Sequence, residues 1–365
     1  MWDLINRTPF SAFSGFDRDK DGKAYWIVWA KATFRMRHER PCLFEREQVE
    51  LFREPLYRGS PENTDLLAEN DICFPKPKPD VIITGYGYRP VDVAREDPFD
   101  VMATIGDWKK SLTILPAMRW SDRLRPEQAD TAGDAVFLGF RNAYGGIDTE
   151  TDTARYQEHA ENPIGHGFWA SSNAARGKPL PRVVSQGTAL EKWDSPLKAL
   201  SFTCVPKERP RRARHSGTYD EAWMRRKSPL LPDDFDERYW QFVDQDQSLE
   251  AEPPSGARIT LTNMMPRGVD GDGGAYTAEL PRLTFELLTR FKGQWQETDM
   301  ALQTIHLLPE QGLLTLSYCG SMPIRAAAND VLVERSELIL REHSGFRVRP
   351  QDADSFDPSG AEVSV

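Results

Sequence analysis

The sequence contains few cysteines and none of the spacings that bind metals or support redox chemistry. Its four cysteines are far apart, with no CxxC pair, at Cys42, Cys73, Cys204 and Cys319. A structural zinc site or a redox-active pair is therefore not expected. We expect four buried thiols in a reducing, cytoplasmic compartment.

Long hydrophobic runs are also missing. No segment approaches the stretch of about 20 apolar residues that a membrane-spanning helix needs. The start of the chain, Met1–Arg7, has no cationic region followed by an apolar core, so it does not read as a secretory signal. The sequence therefore predicts a cytoplasmic protein without a membrane partner.

Sequence motifs of catalysis are absent as well. The six histidines form no HExxH or HxH pair, and no serine lies in a Gly-x-Ser-x-Gly elbow. Gly85-Tyr86-Gly87 lacks the third glycine of a dinucleotide-binding turn, and no Gly-Lys-Ser/Thr phosphate loop occurs. We expect a non-catalytic protein that carries no cofactor and no metal ion.

One partial metal motif is present. Asp17-x-Asp19-x-Asp21-Gly22 matches the first half of a calcium-binding loop, in which alternating carboxylates converge on one cation. The position that should supply a bidentate glutamate is Val28, which lies in a predicted strand. A solvated hairpin tip is the favoured alternative.

The chain is acidic, but its charge is unevenly distributed. Its 46 lysines and arginines against 56 acidic residues give a net charge of -10, which argues against nucleic-acid binding. Residues 207–227 nevertheless carry +5, which leaves -15 on the remainder. This charge island favours an acidic protein partner or a self-contact with the acidic body of the protein. Alternatively, its arginines are solvated or pair internally with Asp233, Asp234, Asp236 and Glu237.

Composition and residue patterns predict a mainly β (β-rich α+β) fold. The 27 prolines and 25 glycines suit many short strands joined by turns, and hairpins are predicted at Asp21-Gly22 and Gly106-Asp107. Helices are expected over Thr218–Lys227, where Thr218 and Glu221 fit a capping box, and near Val331–Leu340.

This pattern predicts two β-sandwich or barrel-like modules with long irregular connections and few short helices. Residues 1–205 form the first module, with ordered loops, and residues 241–345 form the second. Between them lies the basic segment, residues 206–240, which we expect to be partly helical. Residues 346–365 form a flexible acidic tail in this prediction.

Several strings occur in an order that is typical of one bacterial family. They are Val28–Phe34, Asp71–Val81, Gly106–Lys110, Arg119-Trp120, Asn142–Gly146, Asn162–Phe168, Gly217–Trp223 and Pro229–Asp236. Together they resemble the accessory proteins of bacterial type VI secretion known as DUF2169, a domain of unknown function. The chain departs from the family pattern at Tyr144, where phenylalanine is usual, and at His166, where arginine is usual.

The resemblance implies a non-catalytic adaptor or chaperone in the cytoplasm of a Gram-negative bacterium. Such a protein binds a toxic effector, which can be PAAR-like, and helps to load it onto the VgrG/PAAR spike. The resemblance also implies no catalytic residues. No nucleic-acid or membrane partner is expected, because the chain is acidic and has no membrane-spanning apolar run.

We place the partner contact on the basic segment, at Arg209, Arg211, Arg212, Arg214, Tyr219 and Trp223, since arginine and aromatic side chains dominate releasable interfaces. A simpler interpretation of Tyr219 and Trp223 is that they pack a helix against the β body. Two other functions stay open. One is a hydrolase-like enzyme with a site in a cleft between β modules, and the other is a carbohydrate-binding β module that uses some of the 10 tryptophans.

Overall fold

The computed structural model describes residues 3–129, 133–152, 154–188, 190–254, 256–269, 274–324 and 333–344. Within these ranges the fold is mainly β, as predicted. The strands are β1 (Asp3–Asn6), β2 (Ser11–Arg18), β3 (Ala24–Arg35), β4 (Arg40–Pro41), β5 (Leu43–Phe44), β6 (Leu56–Tyr57), β7 (Leu66–Ala68), β8 (Asp80–Ile83), β9 (Tyr86–Tyr88), β10 (Phe99–Ile105), β11 (Trp108–Ile114), β12 (Met118–Trp120), β13 (Pro126–Gln128), β14 (Ala135–Phe137), β15 (Tyr144–Gly145), β16 (Ile147–Asp148), β17 (Gln157–Glu158), β18 (His166–Gly167), β19 (Val183–Ser185), β20 (Arg258–Thr262), β21 (Ala275–Glu279), β22 (Arg282–Phe291), β23 (Gln294–Thr298), β24 (Ala301–Leu308), β25 (Leu313–Ile324) and β26 (Val333–Ser344).

Helices are few and short. The α-helices are α1 (Ser172–Ala175), α2 (Pro210–Ala213) and α3 (Glu221–Arg226). Single 3₁₀ turns occur at Phe140–Asn142, Glu237–Trp240, Gln245–Gln247 and Pro309–Gln311. None of the described helices is long and apolar enough to cross a membrane.

Three larger sheets form the body of the described chain. The strand orders are β2-β3-β25-β24-β8 with β5 beside β3, β19-β11-β10-β20-β21-β4, and β1-β26-β22-β23. The longest pairing joins β3 to β25 in antiparallel register from Ala24↔Ile324 to Arg35↔Leu313. Each sheet therefore combines strands from residues 1–205 with strands from residues 241–344.

A shared hydrophobic core joins the three sheets. Strand β10 alternates strictly and buries Phe99, Val101, Ala103 and Ile105, as expected of a strand with one face on a core. Between sheets, the Phe285 and Tyr318 rings meet edge to face at 5.0 Å. Trp26 Nε1 donates a hydrogen bond to Ser336 Oγ at 2.8 Å, which ties β3 to β26.

The helix predicted near Val331–Leu340 is wrong. From Val333 onward this segment is strand β26, which pairs with β22 on one side and β1 on the other. Ser336 and Leu338 are buried, and the cross-strand partners that the fold supplies override the local helical signal. The predicted tail, 346–365, lies outside the described residues.

The Asp21-Gly22 hairpin is confirmed, and its tip is closed by hydrogen bonds. Asp19 Oδ1 accepts hydrogen bonds from the backbone N of Asp21 at 3.0 Å and of Lys23 at 2.9 Å. Gly22 has a φ of 79°, a conformation that favours glycine. A calcium loop would direct the Asp19 carboxylate at an ion, whereas here it caps the turn.

A buried ion pair connects the edge of the first sheet to the end of the basic segment. Asp80 is fully buried and accepts hydrogen bonds from Lys76 Nζ at 2.7 Å and from Phe242 N at 2.8 Å. Lys76 Nζ also donates to Thr304 Oγ1 of β24 at 2.8 Å. The proline-rich run before β8 thus places a fully paired charge inside the protein, where an unpaired one would be very costly.

We predict that Asp80→Ala lowers the free energy of unfolding by about 3–5 kcal/mol, because it leaves the Lys76 ammonium buried without a carboxylate. Glu250→Ala is the matched control. It removes the exposed partner of Lys78, 2.6 Å away, and should cost less than about 1 kcal/mol. Urea denaturation measures both. Equal losses would show that the Asp80 pair is not a structural anchor.

A second prediction concerns acid stability. Burial, together with the charges of Lys31 and Lys76, lowers the pKa of His306 from 6.5 to about 3. The unfolded chain therefore takes up this proton first as the pH falls, so stability decreases below about pH 6.5. Between pH 7 and pH 5 this group should reduce the unfolding free energy by about 2 kcal/mol.

The test of this pH effect is His306→Gln, which keeps a polar group beside Thr84 Oγ1, 2.9 Å from His306 Nε2. The variant should lose about 2 kcal/mol less than the wild type between pH 7 and pH 5. Urea denaturation at the two pH values measures the difference. An identical pH dependence in both proteins would contradict the assignment.

Candidate functional site

The basic segment is attached to the body by Arg212, at the end of α2. This side chain is only 5% exposed and forms an ion pair with Glu69, which follows β7. Its guanidinium also donates to the carbonyls of Val205 and Tyr239, each at 3.0 Å. Arg212 therefore acts as a structural tie, because it is buried and its Nε and Nη1 donate only to groups of the same chain.

Arg211, which precedes Arg212 in α2, is also bound by carboxylates of the same chain. Its Nε donates to Glu161 Oε2 at 2.8 Å and its Nη1 to Asp244 Oδ2 at 2.8 Å. Burial alone would lower the pKa of this guanidinium, but Asp244 and Glu161 outweigh that effect and raise it. Arg211 thus joins the basic segment to the loops before and after it.

Arg214 differs from these two arginines. It is exposed, and in the described part of the chain it forms no ion pair. Its Nε donates a hydrogen bond to Nε2 of His215 at 3.3 Å. Nδ1 of His215 lies 3.2 Å from Asp236 Oδ2, so this nitrogen carries the proton and the ring is held between the two groups.

These residues line a cleft of about 290 Å³, here called the basic cleft. It lies between α2, the 3₁₀ turns after it, and the segment before β8. Its lining contains the cations Lys78, Arg211, Arg212, Arg214 and Arg238. Asp244 is its one acidic member, and Gln241, Gln245 and Ser248 supply neutral polar groups. A cavity with this lining is suited to bind a small anionic group.

Helix α3 projects from the basic segment as an exposed element. Its N-cap is Asp220, whose Oδ1 accepts from Trp223 N at 2.8 Å. The predicted helix is therefore confirmed, but the predicted Thr218–Glu221 capping box is wrong. The Thr218 hydroxyl instead donates to Asp234 Oδ2 at 2.7 Å. This hydrogen bond joins the two ends of the segment that contains α3.

The aromatic pair at this helix has two different environments. Trp223 is half-buried, and its Nε1 donates to the carbonyl of Leu230 at 2.8 Å. Tyr219 is 52% exposed and meets the Trp223 ring edge to face at 4.7 Å. Trp223 thus fixes the helix to the following loop rather than to the β body, and Tyr219 presents a ring to solvent.

Other exposed side chains extend this surface. Met224 is 67% exposed, and Arg225 and Arg226 follow it on the same helix. Arg225 pairs with Glu221 on the solvent side. We call Tyr219, Met224, Arg225 and Arg226 the α3 surface.

The structure therefore separates the six predicted contact residues. Arg211, Arg212 and Trp223 bind groups of the chain itself, while Arg214 and Tyr219 are exposed. Arg209 is half-buried at the start of α2, where burial lowers its pKa against the opposing effect of Glu208. Arg211 and Arg212 do not pair with Asp233 to Glu237, and they instead contact the acidic body through Glu69, Glu161 and Asp244. Asp233 instead pairs with Lys227, and Asp236 with Arg238.

The strings that carry the family resemblance have structural roles where they lie outside the basic segment. Asn162 is buried and its Nδ2 donates to the carbonyls of Phe140 and Tyr144 at 2.8 and 2.9 Å. Gly145, with φ 149°, approaches it so closely that a Cβ there would lie 2.0 Å from the Asn162 carbonyl oxygen. These strings therefore fix loop geometry by close packing.

The Gly106–Lys110 string is also structural. Trp108 Nε1 donates to the carbonyl of Asp246 at 2.8 Å, and the buried Lys110 binds Asp246 Oδ1 at 2.9 Å. Gln247 accepts a further hydrogen bond from Lys110 Nζ at 2.6 Å. This hairpin thus supports the far wall of the basic cleft.

A family model covers most of this chain, residues 21–318, and its description is "Uncharacterized protein conserved in bacteria (DUF2169)". The chain belongs to the DUF2169 family. This DUF2169 protein matches no curated protein and no solved structure. Family membership therefore confirms the predicted relationship, and the description itself names no activity or partner.

The described chain offers little for the two alternative functions, an enzyme site and a carbohydrate-binding face. No group of three or more His, Cys, Asp or Glu there could hold a metal ion. Asp71 and Lys76 line an enclosed cavity of about 10 Å³, which has room for about one water molecule. Exposed aromatic side chains lie on separate elements, at Phe16, Tyr156, Tyr219 and Trp295, and not on one sheet face.

Sequence reasoning missed part of the site because its residues are far apart in the chain. Lys78 precedes β8, while Arg238 and Asp244 follow the charge island that drew attention to this region. Met224 could have been found, since adjacent helical positions point in different directions, so Trp223 and Met224 cannot both pack on one face of this six-residue helix. Lys78 gave no such signal.

We predict that two neighbouring arginine substitutions differ greatly in their effect on stability. Arg212→Ala should lower the free energy of unfolding by about 3–5 kcal/mol, since it leaves the buried Glu69 carboxylate unpaired. Arg214→Ala should change it by no more than about 0.5 kcal/mol, because the side chain is exposed. Denaturant titration of both variants measures this. A large loss in Arg214→Ala would mean that it, too, is structural.

Proposed function

We propose that this DUF2169 protein is a non-catalytic adaptor or chaperone for type VI secretion. In this role it binds an effector toxin, which can be PAAR-like, in the cytoplasm of a Gram-negative producing cell. It then helps to load the effector onto the VgrG/PAAR spike. The ordered family strings of the sequence motivate this role.

The observation that carries the proposal is the α3 surface. It exposes Met224 and Tyr219 beside two arginines on an element that contributes little to the core. Methionine, tyrosine and arginine are enriched in protein interfaces, and methionine adapts its shape to different partners. Leaving these residues in water has no benefit for the fold of the free protein.

The mixed character of this surface suits a partner that must be released. A wholly apolar interface resembles a permanent one, whereas a small patch with polar and charged edges gives transient binding. A loading factor must transfer its client to the spike, so its contact should be of the second kind. The adjacent basic cleft adds charge complementarity to an acidic client.

The experiment is affinity purification of the full chain together with the effector encoded beside its gene. A triple variant, Met224→Asp, Arg225→Glu and Arg226→Glu, should reduce the recovered effector at least about tenfold, as expected when central contacts are lost. Its unfolding free energy should stay within about 0.5 kcal/mol of the wild type for each exposed position.

The control is Arg123→Glu with Arg125→Glu, two exposed cations in the turn between β12 and β13. It changes net charge similarly, and recovery should remain at the wild-type level. If both variants recover the effector equally, the α3 surface is not the contact. If the wild type retains neither effector nor spike protein, the adaptor role itself is wrong.

A further inference from the structure

The charges of the basic cleft are balanced except at one residue. Four of its five cations have a carboxylate partner in the chain, and these pairs are Lys78–Glu250, Arg211–Asp244, Arg212–Glu69 and Arg238–Asp236. Arg214 lines the same cleft, is exposed, and forms no ion pair with the described residues. The cleft therefore presents one guanidinium that is not matched by a negative charge.

The Arg214 side chain is also oriented by its neighbours. Asp236 holds His215 through Nδ1, and the opposite ring nitrogen accepts the Arg214 Nε hydrogen bond at 3.3 Å. This contact uses Nε alone, so the two terminal nitrogens, which carry four N–H donors, keep their hydrogen-bonding capacity. A guanidinium held in this way is prepared for a planar acceptor with two oxygens.

We propose that the basic cleft binds a single carboxylate of a peptide, with Arg214 as the binding residue. Here the peptide is a segment of the secretion client, and in that respect the inference rests on the proposed function. A volume of about 290 Å³ is at the lower end for ligand pockets and admits a side chain or a chain end. One unpaired guanidinium matches one negative charge, which favours a carboxylate over a doubly charged phosphate.

Two sources of the carboxylate are compatible with this chemistry, an acidic side chain and a C-terminus. Three blocked tripeptides distinguish them: acetyl-Gly-Glu-Gly-amide, acetyl-Gly-Gly-Gly with a free C-terminal carboxylate, and the neutral acetyl-Gly-Gln-Gly-amide. Inorganic phosphate is the fourth probe. Each is titrated into the full ¹⁵N-arginine-labelled chain while the arginine Nε–H resonances are followed by NMR.

At least one carboxylate peptide should shift the Arg214 resonance, while the neutral peptide and phosphate should not. Arg214→Ala should weaken binding more than about tenfold, the usual consequence of losing a hydrogen bond to a charged group. Arg123→Ala is the matched control, since Arg123 is equally exposed and also lacks an ion pair among the described residues. It should bind like the wild type.

Three results would overturn the inference: equal binding of the neutral peptide, binding of phosphate but of neither carboxylate, or equal losses in the two arginine variants. These outcomes are independent of the adaptor role. Effector recovery that is normal in Arg214→Ala, together with no peptide binding, would reject the cleft and leave the adaptor role intact. Peptide binding without any effector recovery would reject the role and leave the cleft intact.

Discussion

The Asp80 carboxylate accepts hydrogen bonds from Lys76 Nζ and from the backbone of Phe242, and the position of the basic segment depends on this arrangement. Asp80 belongs to the edge strand β8, while Phe242 begins the stretch that follows the basic segment. Arg212 fixes the other end through Glu69. Because each buried charge needs its partner, the two ends have one favourable position on the sheet.

This attachment explains how a short helix can keep its position while it projects into solvent. Helix α3 has six residues, too few to be stable alone in water, so its position comes from contacts at its base. Trp223 and Thr218 supply these contacts within residues 217–234. Tyr219, Met224 and Arg214 then remain available to a partner, whereas the other cations of the cleft are paired with carboxylates of the chain.

Much of the fold could be predicted from the sequence. Which residues of the basic segment are buried and paired, and which are exposed, could not. In β10 and β22, buried and more exposed residues alternate with a period of two, and Gly22 lies at a hairpin turn. Local sequence pattern is therefore sufficient to predict these strands and this turn. The helix predicted over β26 is wrong because the strand partners of β26, β1 and β22, are remote in sequence. Arg212 and Arg214 cannot be distinguished from the sequence. Arg212 is structural because the tertiary fold places Glu69 beside it, whereas Arg214 has no carboxylate partner among the described residues and stays available to a ligand.

We propose that the client contacts the α3 surface and the basic cleft, while the β body keeps its structure. Hydrogen–deuterium exchange of the full chain, alone and in complex with the effector encoded beside its gene, tests it directly. We expect slower exchange in residues 209–227 on binding, with β3 and β25 unchanged. Unchanged exchange in residues 209–227, with protection elsewhere on the surface, would contradict the account.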